Sequence, residues 1–267
     1  RARRAISYLT LFGAFASSVF WVLGHFLNEA LGWRQTLVLF AAINLIVCLP
    51  LNWFGLARRE AAPSGEDAAA ADPAARDGAP LEGRLRSVAV GVFALVMSLN
   101  GFVFGVVTVQ LVPLLEAAGL ATAAAVWIAS MKGFAQFAGR LVEIFFGRNL
   151  RTITVARIAI GVLPASFLLL LLAGGNFQAI LAFTLLMGAS QGVITIVRGA
   201  LPLALFGATG YGAVLGLIAT PILIVNAASP TLFALIVERW GWQTAQAVLV
   251  ATAATSWLAM ELMSRWY

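Results

Sequence analysis

MKGFAQFAGRLVEIFFGR, residues Met131–Arg148, sets a lysine and several polar groups inside an otherwise apolar helical pattern. Lys132, Gln136, Gly139 and Glu143 recur at i, i+4, i+7 and i+11, which places them on one face of a helix. Hydrocarbon offers no partner to a polar group, so a stripe of this kind must face protein or water. It runs into a basic turn, Gly147-Arg148, that belongs at the cytoplasmic surface. The rest of the chain reads as packing around this stripe.

The composition agrees. Hydrophobic residues make up 61% and charged residues 10% of the 267, and the mean hydropathy is +0.95. A soluble domain carries about 25% charged residues, so the reading is an all-α, polytopic membrane helix bundle. The net charge of +6 belongs to arginines on one side of a bilayer and is no footprint of nucleic acid. One cysteine, Cys48, and one histidine, His25, leave neither an intrachain disulfide nor a metal site built on cysteine or histidine clusters.

Eight runs meet the requirement of about 20 mostly apolar residues per span. They are Ala5–Leu27, Thr36–Leu56, Val88–Leu111, Ala121–Val142, Ile153–Ala173, Ala179–Leu205, Gly212–Val237 and Ala245–Met263. Between the second and third runs, residues 57–86 hold six of the eleven acids and five of the seventeen basic residues, among Ala, Pro and Gly. This composition gives a flexible, solvated linker. If the eight spans alternate, Arg58, Arg59, Arg76, Arg84, Arg86, Arg140, Arg148, Arg151 and Arg265 fall on one side with Arg1, Arg3 and Arg4, and Arg34 and Arg239 on the other. The arginine-rich side is expected to be cytoplasmic, with both ends of the chain and the linker inside.

Glu29-Ala-Leu-Gly32-Trp33 joins the first two spans, and Glu238-Arg-Trp-Gly241-Trp242 joins the last two. Both read E-x-x-G-W and both lead into Gln-Thr. If these hairpins correspond, the repeat unit is six spans. The second unit is then complete and the first contributes only its last two spans. Residues 1–56 become the end of an N-terminal bundle and 87–267 a C-terminal six-helix bundle. Four spans are expected before Arg1. Parallel repeats of six spans are a known transporter design.

On these residues the chain resembles spans five to twelve of a major facilitator superfamily transporter. Gly139-Arg140-Leu-Val-Glu143-Ile-Phe-Phe-Gly147-Arg148 is similar to the superfamily's signature between spans eight and nine: a glycine, an acid, then glycine and basic residues. It departs by one extra residue between the acid and the second glycine, and by Ile144 where a basic residue follows the acid. The resemblance implies alternating access by two six-helix bundles in the bacterial inner membrane, with a small-molecule substrate and the lipid bilayer as partners. It implies that Gly139, Arg140, Glu143, Gly147 and Arg148 form a cytoplasmic conformational latch. Simple positive-inside anchoring is the plainer alternative.

Candidate substrate-binding residues come from the stripes. A cation in mid-membrane costs about 2.5–3.5 kcal/mol on insertion scales, so Lys132 is expected to pair with something. An anionic substrate, a carboxylate elsewhere in the protein, or access to water would each serve. The sixth span carries Thr184, Gln191, Thr195 and Arg198 on one face. Arg198 either binds an anion or snorkels to the cytoplasmic interface. Gln136 and Asn100 join the set. Asn100, Gln110 and Asn226 read first as interhelical hydrogen bonds worth about 0.6 kcal/mol each. Ser18, Trp21 and His25 lie near one face of the first span; His25 either takes part in proton coupling or is an ordinary interfacial histidine at the outer end, and Pro221 and Pro230 can bend the seventh.

Ser/His/Asp sets, metal-ligand spacing and phosphate-binding loops are absent from the sequence, so neither catalysis nor a cofactor or metal is expected; proton or ion coupling stays open. The expectation is a secondary transporter of a small solute, with an organic anion such as a monocarboxylate favoured because the intramembrane charge is cationic. Efflux of a neutral or hydrophobic compound is the alternative, and a membrane sensor or scaffold that moves nothing is a third class. On the six-plus-six reading, the 267-residue chain alone gives no saturable uptake in liposomes, and saturable uptake there would overturn that reading.

Overall fold

The computed structural model describes residues 13, 23–24, 26–57, 81–147, 150–207 and 210–266. Every regular element among them is a helix. The chain divides into two compact units, 12–72 and the remainder.

In the first unit, residues 26–31 are helical and lead through Gly32 into α1. Helix α1 runs from Trp33–Ile43 through a π-helical turn, Asn44–Cys48, into Leu49–Ala57. The amides of Asn44 and Asn52 donate back to the carbonyls of Phe40 and Cys48 at 2.9 and 2.8 Å. An asparagine on a membrane helix thereby satisfies its own donor. Leu37, Val38, Ile46, Leu51 and Phe54 are all exposed, the display expected of a surface that meets lipid.

The second unit contains α2 (Gly83–Ala117), α3 (Thr122–Phe146), α4 (Thr152–Leu171), α5 (Phe177–Phe206) and α6 (Tyr211–Ser264). Helix α2 lies along α6, α3 lies along α5, and α4 packs against both α5 and α6. The core between them is apolar, with Phe93, Phe167, Phe183 and Phe233 fully enclosed. Caps and turns follow local chemistry. Asn176 Oδ1 accepts from the backbone N–H groups of Gln178 and Ala179 at 2.9 and 3.1 Å and starts α5. This satisfies donors that the first turn of a helix leaves free. The N–H of Leu81 donates to the carbonyl of Leu205 at 2.8 Å, fixing the chain just ahead of α2 to the end of α5.

Five described helices are long and apolar enough to cross a membrane: Trp33–Gly55, α2, α4, α5 and α6. Five is a count among the described residues, and the eight expected spans map onto it unevenly. The first expected span, Ala5–Leu27, falls largely outside the described residues, as do Ser18, Trp21 and His25. The fourth is the 25-residue α3, which has the length but is made less apolar by Lys132, Gln136, Arg140 and Glu143. The seventh and eighth are two helices that meet at the non-helical Gly241 within α6. Helix α2 also begins at Gly83, inside the stretch read from composition as linker.

The break explains the E-x-x-G-W repeat. Gly241 has φ 79°, ψ 170° and Gly32 has φ 77°, ψ 162°. This region of backbone space is essentially restricted to glycine. The two glycines thus occupy the same position in the motif and the same conformation, each leading into a helix through tryptophan.

Close glycine contacts set the spacing of the helix pairs. Gly101-x-x-x-Gly105 on α2 faces α6, where an added Cβ at Gly105 would lie 2.5 Å from the carbonyl oxygen of Asn226. Gly188-x-x-x-Gly192 on α5 faces α3. A Cβ at Gly192 would lie 2.2 Å from the carbonyl oxygen of Gln136, and one at Gly139 would lie 2.3 Å from that of Ala189. Small residues at i and i+4 let membrane helices approach backbone to backbone. Gly133, on the same helix as Gly139, has open space around it. Gly192→Ala should therefore destabilise the protein by about 1–3 kcal/mol. Gly133→Ala should stabilise it by up to about 1 kcal/mol, as alanine does in a helix. Thermal melting of the two variants in detergent checks this opposition of sign.

Candidate functional site

The α3–α5 seam brings the two polar stripes together. Gln136 Nε2 donates to Gln191 Oε1 at 3.4 Å. Arg140 Nε and Nη2 both donate to Thr195 Oγ1, at 3.4 and 3.2 Å. Thr195 Oγ1 in turn donates to the carbonyl of Gly192 at 2.6 Å. The pairs Gln136–Gln191 and Arg140–Thr195 sit one helical turn apart on each partner. They meet because glycines at 139, 188 and 192 let the backbones touch. On the other side of α5, Ser190 Oγ donates to the carbonyl of Ala159 on α4 at 2.6 Å.

Beside this seam lies a cavity of about 100 Å³ bounded by α2, α4, α5 and α6. Its polar lining is Asn100, Gln191, Thr195, Arg198 and Asn226, set against an apolar wall that includes Phe104, Leu163 and Ile222. No aspartate or glutamate is among its lining residues. Arg198 is exposed. Lys132 reaches from α3 to the ring of Phe104, with Nζ 5.4 Å from its centroid. An aromatic face attracts a cation through its quadrupole. That contact holds the ammonium beside a residue that lines the cavity.

Of the six residues singled out in sequence as substrate-binding, four line the cavity and two, Gln136 and Lys132, contact residues that do. Asn100, Gln191, Thr195 and Arg198 line the cavity, Gln136 braces Gln191, and Lys132 stands over Phe104. Asn100 and Asn226 also make interhelical hydrogen bonds, Asn100 Nδ2 to Ser256 Oγ at 2.7 Å and Asn226 Nδ2 to the carbonyl of Gly101 at 3.0 Å. Each is at once a packing residue and a wall of the cavity. Asn226 is on the cavity although its sequence context pointed to packing alone.

The residues read as a latch separate into two groups. Gly139, Arg140, Glu143 and Gly147 are buried on α3 and at its end. Arg148 lies outside the described residues. Arg140 is directed into the α3–α5 seam, where its partner Thr195 is a cavity residue. It thus ties the C-terminal part of α3 to the cavity wall. Gly139, Glu143 and Gly147 instead line a larger groove, about 370 Å³, between α3, α4 and α5. That groove is almost wholly apolar, with Val142, Phe146 and Ile158 exposed along it.

Sequence reasoning missed two features. Arg157 Nε and Nη2 form a two-pronged ion pair with Glu261 at 2.8 and 2.7 Å, joining α4 to the second half of α6. The fork of a guanidinium fits a carboxylate in this way, but the partners are 104 residues apart and no local pattern links them. The second is the pair of G-x-x-x-G sequences, at 101–105 and 188–192, which were visible as a spacing of small residues in apolar runs.

The chain matches no family model, and no curated protein is significantly similar to it.

Thr195→Val removes the acceptor that Arg140 uses and leaves a buried guanidinium short of a partner. It should lower stability by about 1–3 kcal/mol. Thr108→Val, at an exposed threonine bonded only to the carbonyl of Phe104 in its own helix, should change stability by no more than about 0.5 kcal/mol. Detergent melting curves of both variants make the comparison.

Proposed function

We propose that this chain belongs to a secondary active transporter working by alternating access, and that its cavity takes a small organic anion, with a monocarboxylate favoured. The observation that carries this reading is the charge of the cavity and its surroundings. Arg198 is on the wall, Lys132 is held beside it, and no carboxylate lines it. Arg198 has no hydrogen-bond or ion-pair partner among the described residues, and neither does Lys132. Charged groups are costly inside a membrane, and those retained there mark substrate or ion pathways. An anion arriving in the cavity supplies the countercharge.

The sequence resemblance to the major facilitator superfamily supports the same reading through its signature turn and its repeated hairpin. In this proposal Arg140 and Thr195 link turn and cavity, so occupancy of the cavity biases the packing of α3 on α5. A ligand shifts such an equilibrium only by its differential affinity for the two states. The apolar groove between α3, α4 and α5 favours a second reading, in which a hydrophobic compound is exported along that face.

Uptake of propionate by the full-length protein in proteoliposomes tests the choice. A charge-assisted hydrogen bond contributes about 1.5–3 kcal/mol, so Arg198→Gln should weaken propionate binding by about 10-fold or more, and Lys132→Gln should weaken it in the same direction. Uptake that is unaffected in both variants would contradict the anion reading. Export of a hydrophobic compound that responds to Val142 and Ile158 substitutions would establish the second.

A further inference from the structure

We infer that the seam between α4 and the second half of α6 binds the headgroup of an anionic phospholipid, with Arg157 and Arg265 on its phosphate and the exposed apolar flank of the seam under its acyl chains. This goes beyond the transport reading and rests only on the membrane character of the fold. It starts from a guanidinium held in place. Arg157 Nε and Nη2 donate to the two carboxylate oxygens of Glu261 at 2.8 and 2.7 Å. A guanidinium has five N–H groups in a rigid fork. The pair engages one on Nε and one on Nη2, so three remain. None of the three meets an acceptor among the described residues, and the side chain of Arg157 is 43% exposed. Glu261 therefore orients the fork and leaves its outer donors to a ligand.

The cluster keeps an excess of positive charge. Arg265 follows Glu261 by one turn on the same face of α6, is exposed, and lies within electrostatic reach of the carboxylate. Its depth suits a headgroup. Arg157 stands five residues from the start of α4 at Thr152, and Glu261 three residues from the end of α6 at Ser264. At 1.5 Å per residue these are about 7.5 and 4.5 Å, the thickness of the interfacial layer rather than the hydrocarbon centre. Trp257, one turn deeper, is the residue type favoured at that boundary. Its indole N–H serves the same carboxylate, and its ring crosses to α4 at Gly161, where an added Cβ would lie 2.9 Å from Nε1.

Charge and surface choose the occupant. A phosphate diester accepts hydrogen bonds only and brings the negative charge that two arginines against one glutamate call for. In phosphatidylglycerol that charge is uncompensated, whereas the cation of a choline headgroup offsets it. Trp257, Ile158 and Leu258 are exposed beside the charged groups, and acyl chains below the same headgroup cover them. Basic sites between membrane helices bind anionic lipid headgroups by this combination.

The test is native mass spectrometry of the full-length protein in detergent, titrated with phosphatidylglycerol and with phosphatidylcholine of the same chains, reading Kd for the first lipid bound. Phosphatidylglycerol should bind about 5-fold tighter or more, the value of a basic residue at an anionic surface. Arg157→Gln and Arg265→Gln should each weaken it about 5-fold and leave phosphatidylcholine unchanged. Arg265→Gln keeps the ion pair, so its result stands even where Arg157→Gln does not fold. Glu261→Gln removes the pair but keeps both arginines, and should hold phosphatidylglycerol at least as tightly as the wild type. Equal wild-type affinity for the two lipids would overturn the inference. So would a loss in Glu261→Gln equal to that in Arg157→Gln, which marks a purely structural pair. A loss in Arg239→Gln, an exposed arginine at the Gly241 hairpin, as large as in Arg265→Gln would overturn it as well, since surface charge anywhere would then serve.

Discussion

Hydrocarbon cannot accept or donate a hydrogen bond, and the architecture of the second unit follows from that constraint. A helix that carries Lys132, Gln136, Arg140 and Glu143 must turn them toward other helices. Helix α3 does so by lying along α5, where Gln191 and Thr195 answer at the matching turn. The contact is close because glycines occupy the points of nearest approach, and an added methyl group at Gly192 or Gly139 would fall on backbone oxygen. Polar pairing and small-residue packing are thus two aspects of one seam. The α2–α6 pair repeats the arrangement with Gly101 and Gly105, and there too a polar side chain, Asn226, bonds across to the backbone of its partner.

The cavity is what these seams leave between them. Its walls are polar where they belong to residues already engaged in holding helices together, namely Asn100, Gln191, Thr195 and Asn226. Such residues respond to a ligand and to helix packing at the same time. Arg140 extends the connection, since it rests on Thr195 and lies on α3, six residues before the end of that helix. The Arg157–Glu261 pair ties α4 to α6 at a separate place. In a protein that exchanges two packings, contacts of these kinds would be made in one state and released in the other.

The helical fold and the membrane character were legible in hydropathy, because long apolar runs have few other readings. The two faces carrying Lys132–Glu143 and Thr184–Arg198 were legible in the 3.6-residue period. That they face each other was not, since period alone assigns a face and never a partner. The glycine spacing at 188–192 was the missing signal. The hairpin glycines at 32 and 241 were legible as a repeat in sequence, and their shared backbone conformation supplies its physical reason. Arg157 with Glu261 was beyond reach, as pairing across 104 residues leaves no local trace. The polar stripe makes α3 less apolar than the other long helices, and the non-helical Gly241 divides α6 between the two expected spans.

The central claim is that the cationic cavity among α2, α4, α5 and α6, rather than the larger apolar groove among α3, α4 and α5, receives the anion. Crystals of the full-length protein soaked in 2-bromopropionate, measured above the bromine absorption edge, test it most directly. The account predicts an anomalous peak beside Asn100, Gln191 and Arg198 that disappears in Arg198→Gln. A peak confined to the groove at Val142, Phe146 and Ile158, or no peak at a saturating concentration, would contradict it.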